Sequence, residues 1–319
     1  MNNKCLLVGA GLMGIEYSKV LDKLNIDFEI VCRTEESAVK FLEATGKKPF
    51  TGGLEKYPLE RLNEMRWAIV AVNVSGLYPA SRYLLENGVK NLMVEKPGAL
   101  YLEEIISLKQ VAATEGANLF IAYNRRFFES VRRAMEIIIK DGGVTSLFFE
   151  FTEWAHKIEP LIKEGDEKAR WFLSNSSHIA DLAFFLGGVP EEINCFTSGQ
   201  LSWHPAASVY SGSGRTERGA LFSYFADWDA PGRWSVEVLT RNNRLILRPV
   251  EELIVQKKGT ILYEKTELDN HFDQAFKPGL YRMTRAFLEG DYDELCNIND
   301  QERAFHYYMK MANYSPDEG

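Results

Sequence analysis

Gly9, Gly11 and Gly14, in the run Val8-Gly9-Ala10-Gly11-Leu12-Met13-Gly14, stand at the spacing that lets a backbone cradle a diphosphate. Gly9 permits a tight turn, Gly11 removes a Cβ where a pyrophosphate approaches, and Gly14 lets a helix pack closely on a strand. The apolar run at 5–8 reads as a buried strand, and Ile15, Tyr17, Val20, Leu21 and Leu24 recur at helical spacing. Amides at the start of that helix, those of Leu12 and Met13 among them, would face the phosphates with the positive end of the helix dipole. Strand, glycine turn and helix in that order point to a dinucleotide site rather than a merely structural turn.

Nineteen residues after Gly14, where a carboxylate would hold the ribose diol of NAD, the chain carries Arg33 between Cys32 and Thr34. A guanidinium can stack on adenine and pair with a 2′-phosphate, which favours NADP over NAD. The plainer alternative leaves Arg33 in solvent and brings Glu35 or Glu36 to the ribose. Asn73 follows an apolar run and would sit at the carboxyl edge of a sheet, where such folds bind ligands, although Asn is also a common turn residue. Glu95-Lys96-Pro97 follows the buried run at 92–94, where a charged pair does little for packing. Pro97 lacks an N–H and stiffens the turn. A further strand leads into Tyr123-Asn124-Arg125-Arg126-Phe127. His178 and Asp181, three apart, project from one face of a helix that is otherwise almost wholly apolar. A buried histidine–aspartate pair is costly unless hydrogen-bonded or used, so a working pair and a satisfied core histidine both stay open.

The elements that must hold these groups alternate strand and helix over 4–122, the pattern of a parallel sheet covered on both faces. Strands are predicted over 5–8, 28–32, 67–72, 91–94 and 118–122, and helices over 14–24, 35–45, 77–87 and 102–115. After a helix over 128–140, strands crowd together over 146–153, 192–197, 220–226, 234–240, 245–247 and 252–256. Ser176 and Ser177 read as N-cap candidates for the helix that carries His178. The predicted fold is an α/β Rossmann domain over 1–122, then an α+β domain over 123–319 with a large, mostly antiparallel open sheet.

A chain of 319 residues can bury two cores, and its net charge of −8 without a Lys/Arg block argues against a nucleic-acid surface. No apolar stretch approaches the ~20 residues of a membrane span. The short run at 5–15 lacks a cleavage site and argues against secretion. Cys5, Cys32, Cys195 and Cys296 show neither metal-ligand nor disulfide spacing, which suits reduced thiols in the cytoplasm.

Taken together, G-A-G-L-M-G at 9–14, E-K-P at 95–97, Y-N-R-R-F at 123–127 and H-I-A-D at 178–181 resemble the Gfo/Idh/MocA family, that of glucose–fructose oxidoreductase and inositol dehydrogenase. The resemblance spans both domains. It implies hydride transfer between a nicotinamide cofactor and a secondary alcohol or ketone of a sugar, inositol, sugar acid or nucleotide-sugar. Lys96 matches the family's lysine beside nicotinamide and substrate, His178 the histidine facing the reacting hydroxyl, and Asp181 the acid one turn on. Asn124 and Arg125 match residues at the nicotinamide end of the cleft; Thr34, Asn73 and Glu95 complete the expected cofactor contacts. Two positions depart from the family: Ser174 stands where many members carry Asp, and Tyr78 where a histidine is frequent.

The implied chemistry has His178, with an ordinary pKa of about 6.5, take the hydroxyl proton, with Asp181 either orienting its ring or assisting the relay. Lys96 would serve as electrostatic partner and relay member. Rival readings on this scaffold are an NAD-dependent glycosidase and a non-catalytic cofactor- or sugar-binding regulator. Substrate recognition falls to the second domain, where His156, Arg170, Trp171, Trp203, His204, Tyr210, Trp228 and Arg233 offer aromatic faces and polar forks, most of them expected to serve as core or interface residues. One apolar face of the open sheet would need a cover, so a homodimer or homotetramer through the C-terminal sheet is expected.

Overall fold

The apolar run after Lys4 becomes an inner strand of a seven-stranded sheet in the computed structural model, which describes residues 3–315. That strand, β1 (Lys4–Val8), is flanked by β2 (Asp27–Cys32) and β3 (Phe50–Thr51) on one side. On the other lie β4 (Trp67–Val70), β5 (Asn91–Glu95) and β6 (Asn118–Ala122). The order β3-β2-β1-β4-β5-β6 is parallel throughout, and Cys296–Asn297 adds an antiparallel edge to β6. Cys5, Leu6, Leu7, Ala68 and Ile69 have no exposed surface, as parallel strands covered on both faces require. Helices α1 (Leu12–Lys23), α2 (Glu35–Thr45), the single turn α3 (Leu59–Leu62), α4 (Val74–Glu86) and α5 (Leu102–Glu115) supply that cover. Gly46 and Gly116 stop α2 and α5 in the left-handed conformation. The Rossmann arrangement expected from the sequence is therefore present, with β4 ending at Val70 rather than at 72 and α4 starting three residues before 77.

Two compact units divide the chain. The first comprises the residues up to Asn124 together with Phe272–Glu302, and the second Arg125–His271 with the residues from Arg303. The sequence reading assigns 123–319 to one domain, whereas Phe272–Glu302 packs with the parallel sheet of the first unit. Its amphipathic helix buries Leu280, Met283 and Phe287, and Phe287 and Tyr292 pack on Phe120 of β6 with ring centroids 6.0 and 4.5 Å away.

The second unit carries helices α6 (Glu129–Lys140), α7 (Ala155–Ile158) and α8 (Ser177–Gly187) and an eight-stranded sheet. Its strands are β7 (Ser146–Glu150), β8 (Pro190–Ser198), β9 (Val209–Thr216), β10 (Leu221–Asp227), β11 (Ser235–Leu239), β12 (Asn243–Leu247), β13 (Ile254–Lys257) and β14 (Glu264–Lys265). The order is β14-β13-β12-β11-β7-β10-β9-β8, and every pair is antiparallel except β7 with β10. The apolar α8 lies on one face, where Phe184 meets Phe149 edge-on at 5.4 Å and Phe222 at 5.2 Å. On the other face Phe196, Leu221 and Phe225 are exposed.

The helix start before His178 differs from the expected serine cap. Phe172–Ser176 forms a π-helical turn that runs straight into α8. Ser177 bonds back to the Leu173 carbonyl and Ser176 donates to Glu153, so neither serine caps the helix.

Candidate functional site

In the first unit the strand order reverses between β1 and β4, the place where open α/β sheets bind ligands. The loops leaving these strands touch: a Cβ on Gly9, which has φ +118°, would lie 2.3 Å from the Ala71 carbonyl oxygen. A Cβ on Gly14 would lie 2.1 Å from the Gly9 oxygen, so α1 starts hard against the turn. Gly11 is the opposite case, since a Cβ there would meet nothing within 4 Å. Leu12 beside it is 86% exposed, and α1 has neither a side-chain cap nor an acidic residue in its first turn. Its first amides and the positive end of its dipole are left to an anion, so the turn fits the diphosphate of a dinucleotide.

Arg33 leaves β2 into solvent and is backed by Gly52 and Gly53, whose amides donate to the Arg33 and Cys32 carbonyls. Thr34 caps α2 by accepting from the Ser37 amide at 3.2 Å. The two carboxylates that compete with Arg33 for the ribose are both engaged: Glu35 accepts from the Thr51 hydroxyl, and Glu36 pairs with Lys40 at 2.6 Å.

Asn73 precedes α4 just beyond the end of β4, and its Oδ1 faces Gly76, where a Cβ would come within 2.8 Å. Glu95 ends β5 and Lys96 follows it. Gly98 closes the turn by donating to the Glu95 carbonyl, and the buried Gln301 donates to the Pro97 carbonyl at 2.8 Å. Burial pushes the Glu95 carboxyl above the ordinary carboxylate range. The charges of Lys96 and Lys277 and the Tyr17 hydroxyl, which donates to Oε1 at 2.8 Å, pull the other way. Tyr78, where the family often has histidine, lies 3.2 Å from the Ser107 hydroxyl and accepts from Arg82, linking α4 to α5.

Asn124 donates to the Pro278 carbonyl at 2.8 Å and so anchors the segment that carries Lys277. Asp273 holds the same segment by accepting from the Gly279 amide and from Arg282, both at 3.0 Å. Lys277 Nζ lies 2.9 Å from Met13 Sδ, in the first turn of α1.

The second unit gathers another set. His178, 6% exposed in the first turn of α8, has its ring 6.3 Å from that of Trp234, which directly precedes β11. Asp181 is held by Arg126, with Nε to Oδ2 at 2.9 Å and Nη2 to Oδ1 at 2.5 Å. The guanidinium of Arg125 lies over the Trp234 ring at 4.6 Å. Ser174 is buried and donates to the Trp171 carbonyl at 3.4 Å. A carboxylate does stand nearby: Glu153, 2% exposed, accepts from Asn175 at 2.9 Å and from Ser176 at 2.7 Å.

Residues 3–123 match the family model GFO_IDH_MocA, described as "Oxidoreductase family, NAD-binding Rossmann fold". The match covers the N-terminal part of the parallel-sheet unit and stops at Tyr123. The matched segment contains every first-unit residue named from the sequence up to Lys96. No curated protein sequence matches the chain. Solved structures match it over nearly their whole length. UDP-N-acetylglucosamine 3-dehydrogenase GnnA from Acidithiobacillus ferrooxidans aligns with TM-score 0.76 at 13% identity, covering 98% of this chain and 97% of that one. Levoglucosan dehydrogenase in complex with NADH aligns with TM-score 0.79 at 15% identity, covering 98% and 97%. An oxidoreductase from Agrobacterium radiobacter in complex with NAD+, L-tartaric acid and magnesium gives 0.79 at 13%, covering 98% and 97%. At these identities the likeness is one of fold.

Several residues that shape the two sets escape sequence reading. Lys277 and Gln301 come from beyond the matched domain, and no local pattern ties either to the glycine turn or the Glu95–Pro97 turn. Trp234 and Glu153 sit at strand ends, where an aromatic or an acid carries no spacing signal. Most of the aromatic residues named beside substrate recognition are core, as the sequence reading expects of them. His204, Tyr210 and Trp228 are buried, Trp203 stacks on Trp228 at 6.0 Å, and His204 Nε2 meets the Tyr314 hydroxyl at 2.8 Å.

Proposed function

We propose that the protein transfers a hydride between a nicotinamide dinucleotide and a secondary alcohol or ketone of a carbohydrate-like substrate. The observation that carries this reading is the glycine turn at the sheet's switch point, open above Gly11 and uncapped at α1, within residues that match an NAD-binding oxidoreductase family. Gly9, Gly11, Leu12, Met13 and Gly14 would hold the diphosphate, with Lys277 as a cation beside Met13. Arg33 favours NADP, because Glu35 and Glu36 are engaged elsewhere and the guanidinium suits a 2′-phosphate. Asn73, Glu95, Asn124 and Arg125 would line the rest of the cofactor's path.

When bound, the nicotinamide ring supplies the acceptor or donor of the hydride. His178 takes the substrate hydroxyl proton on oxidation and returns it on reduction. Lys96 keeps a positive charge against the oxygen as negative charge develops there. Asp181, gripped by Arg126, positions α8 and thereby His178 rather than moving a proton. Levoglucosan dehydrogenase and the nucleotide-sugar enzyme share the fold, which supports sugars or nucleotide-sugars as the substrate class. Phe196 and Phe225 flank Ser211 in register on the exposed sheet face, with Leu221 on the same side, and two copies would pair through this face. A cytoplasmic setting suits the four free thiols; among the described residues no helix is long and apolar enough to cross a membrane.

Lys96→Met tests the assignment. NADH and NADPH should bind as in the wild type, while turnover on the best alcohol of a sugar, inositol and sugar-acid panel should fall by about 10²–10⁴-fold. Near-normal turnover in this variant would refute the role given to Lys96.

A further inference from the structure

One end of the second unit's sheet holds a guanidinium that has an ion pair but no hydrogen bond, and an indole whose N–H has no partner, among the described residues. Arg233 directly precedes Trp234, and its guanidinium lies between two indoles, 4.9 Å from the Trp154 ring and 4.5 Å from the Trp234 ring. Stacking of this kind fixes the plane of a guanidinium and leaves its edge for recognition. Among the described residues that guanidinium makes no hydrogen bond, and the Arg233 side chain keeps 48% of its surface exposed. Glu153 Oε2 pairs with Nη1 at 3.8 Å, an ion pair too long for a hydrogen bond, and the other oxygen of Glu153 is taken by Asn175 and Ser176, so the donors of the Arg233 fork are left for a ligand. Nearby carboxylates are matched to other arginines: Glu150 to Arg248 at 2.9 Å, and Asp181 to Arg126.

Trp234 supplies the second unused donor. It is 5% exposed, yet its indole N–H has no hydrogen-bond partner among the described residues. A buried donor without a partner is costly, and a ligand acceptor removes that cost. Its ring lies 6.3 Å from that of His178, and the Arg125 guanidinium covers it at 4.6 Å. Two cations, an orphaned neutral donor and a histidine thus meet around one indole. Such a group is complementary to an oxyanion flanked by hydroxyls, and a neutral sugar would leave the Arg233 fork unused.

We infer that the substrate is an anionic carbohydrate, its carboxylate or phosphate held by the Arg233 fork and a neighbouring oxygen by the Trp234 indole N–H, beside His178. The inference rests on the proposed role of His178 only for the chemistry that follows binding; the anion site itself stands on Arg233 and Trp234.

Binding to the purified, NADH-loaded protein decides it, followed by calorimetry and by quenching of tryptophan fluorescence. D-glucuronate, D-glucose 6-phosphate and UDP-N-acetylglucosamine serve as carboxylate, phosphate and diphosphate probes, with D-glucose as the neutral control. At least one anion should bind about ten- to a hundredfold tighter than glucose, the preferred one telling carboxylate from phosphate. Arg233→Gln should remove that preference while leaving NADH affinity and the melting temperature near wild type. Trp234→Phe keeps the ring and should weaken the same anion about three- to tenfold. Anions that bind no better than glucose, or an anion preference that survives Arg233→Gln, would overturn the inference. Tight, Arg233-dependent anion binding, with no reduction of NAD+ or NADP+ when the oxidised cofactor replaces NADH, would uphold the anion site and reject the dehydrogenase reading instead.

Discussion

Arg126 and Asp181 form a two-pronged ion pair with side chains 12% and 4% exposed, and the guanidinium also lies 5.0 Å from the Phe185 ring. Both carboxylate oxygens of Asp181 are thereby engaged one turn beyond His178. Breaking a buried pair from one side leaves the other charge uncompensated, at a cost of about 3–5 kcal/mol. Asp181→Asn should therefore lower the urea-unfolding free energy by roughly that amount. Adding Arg126→Met should recover part of the loss, which a double-mutant cycle would measure. A variant of normal stability with abolished turnover would instead put Asp181 in the chemistry.

Arg33 should set the choice between the two dinucleotides. Arg33→Asp would repel a 2′-phosphate and offer a partner to a ribose diol, so NADPH affinity should fall by about ten- to a hundredfold while NADH affinity holds or rises. Fluorescence titration of both cofactors against wild type and variant reads the ratio directly. An unchanged ratio would return the ribose to Glu35, which would then have to release Thr51.

What could be read from the sequence follows from how local each cause is. The glycine turn, α2 with its Thr34 cap and Gly46 stop, and β6 at 118–122 are written within a few residues, and the structure has them where the sequence puts them. β9 carries no strand signal in the sequence, because Ser211, Gly212, Ser213 and Gly214 show no apolar alternation. The cause is tertiary: a Cβ on Gly212 would lie 2.4 Å from the Tyr224 ring, and one on Gly214 would lie 2.6 Å from the Phe222 ring. The Arg126 partner of Asp181 is 55 residues away, and Lys277 reaches Met13 across 264. Pairings at such distances leave no trace in spacing, so residues of the right type were named while their partners were not.

Lys277 should contribute to dinucleotide affinity from outside the matched family domain. Its Nζ stands beside the first turn of α1, and Asn124 and Asp273 hold the backbone that carries it. Lys277→Met removes the charge and keeps an aliphatic stem, so affinity for NADH and for ADP-ribose should both drop about three- to tenfold at low salt. The difference from wild type should shrink as ionic strength rises. Equal affinities at low salt would exclude contact with the diphosphate.

His204 links stability to pH in the second unit. Burial lowers its pKa to about 4, and Nδ1, 2.8 Å from the Ala207 carbonyl, is placed to donate while Nε2 accepts from the Tyr314 hydroxyl. The folded state thus keeps the ring neutral, whereas the unfolded chain protonates it at about 6.5. Between those values the unfolded state binds more protons, so stability rises with pH through the window and is lost as pH falls from about 6.5 toward 4. The full excursion is on the order of 3 kcal/mol. His204→Gln cannot take up this proton, so its urea midpoint, lower than wild type at pH 7, should approach that of wild type at pH 4.5. A wild-type midpoint that falls in parallel with that of the variant would assign the acid sensitivity to other groups.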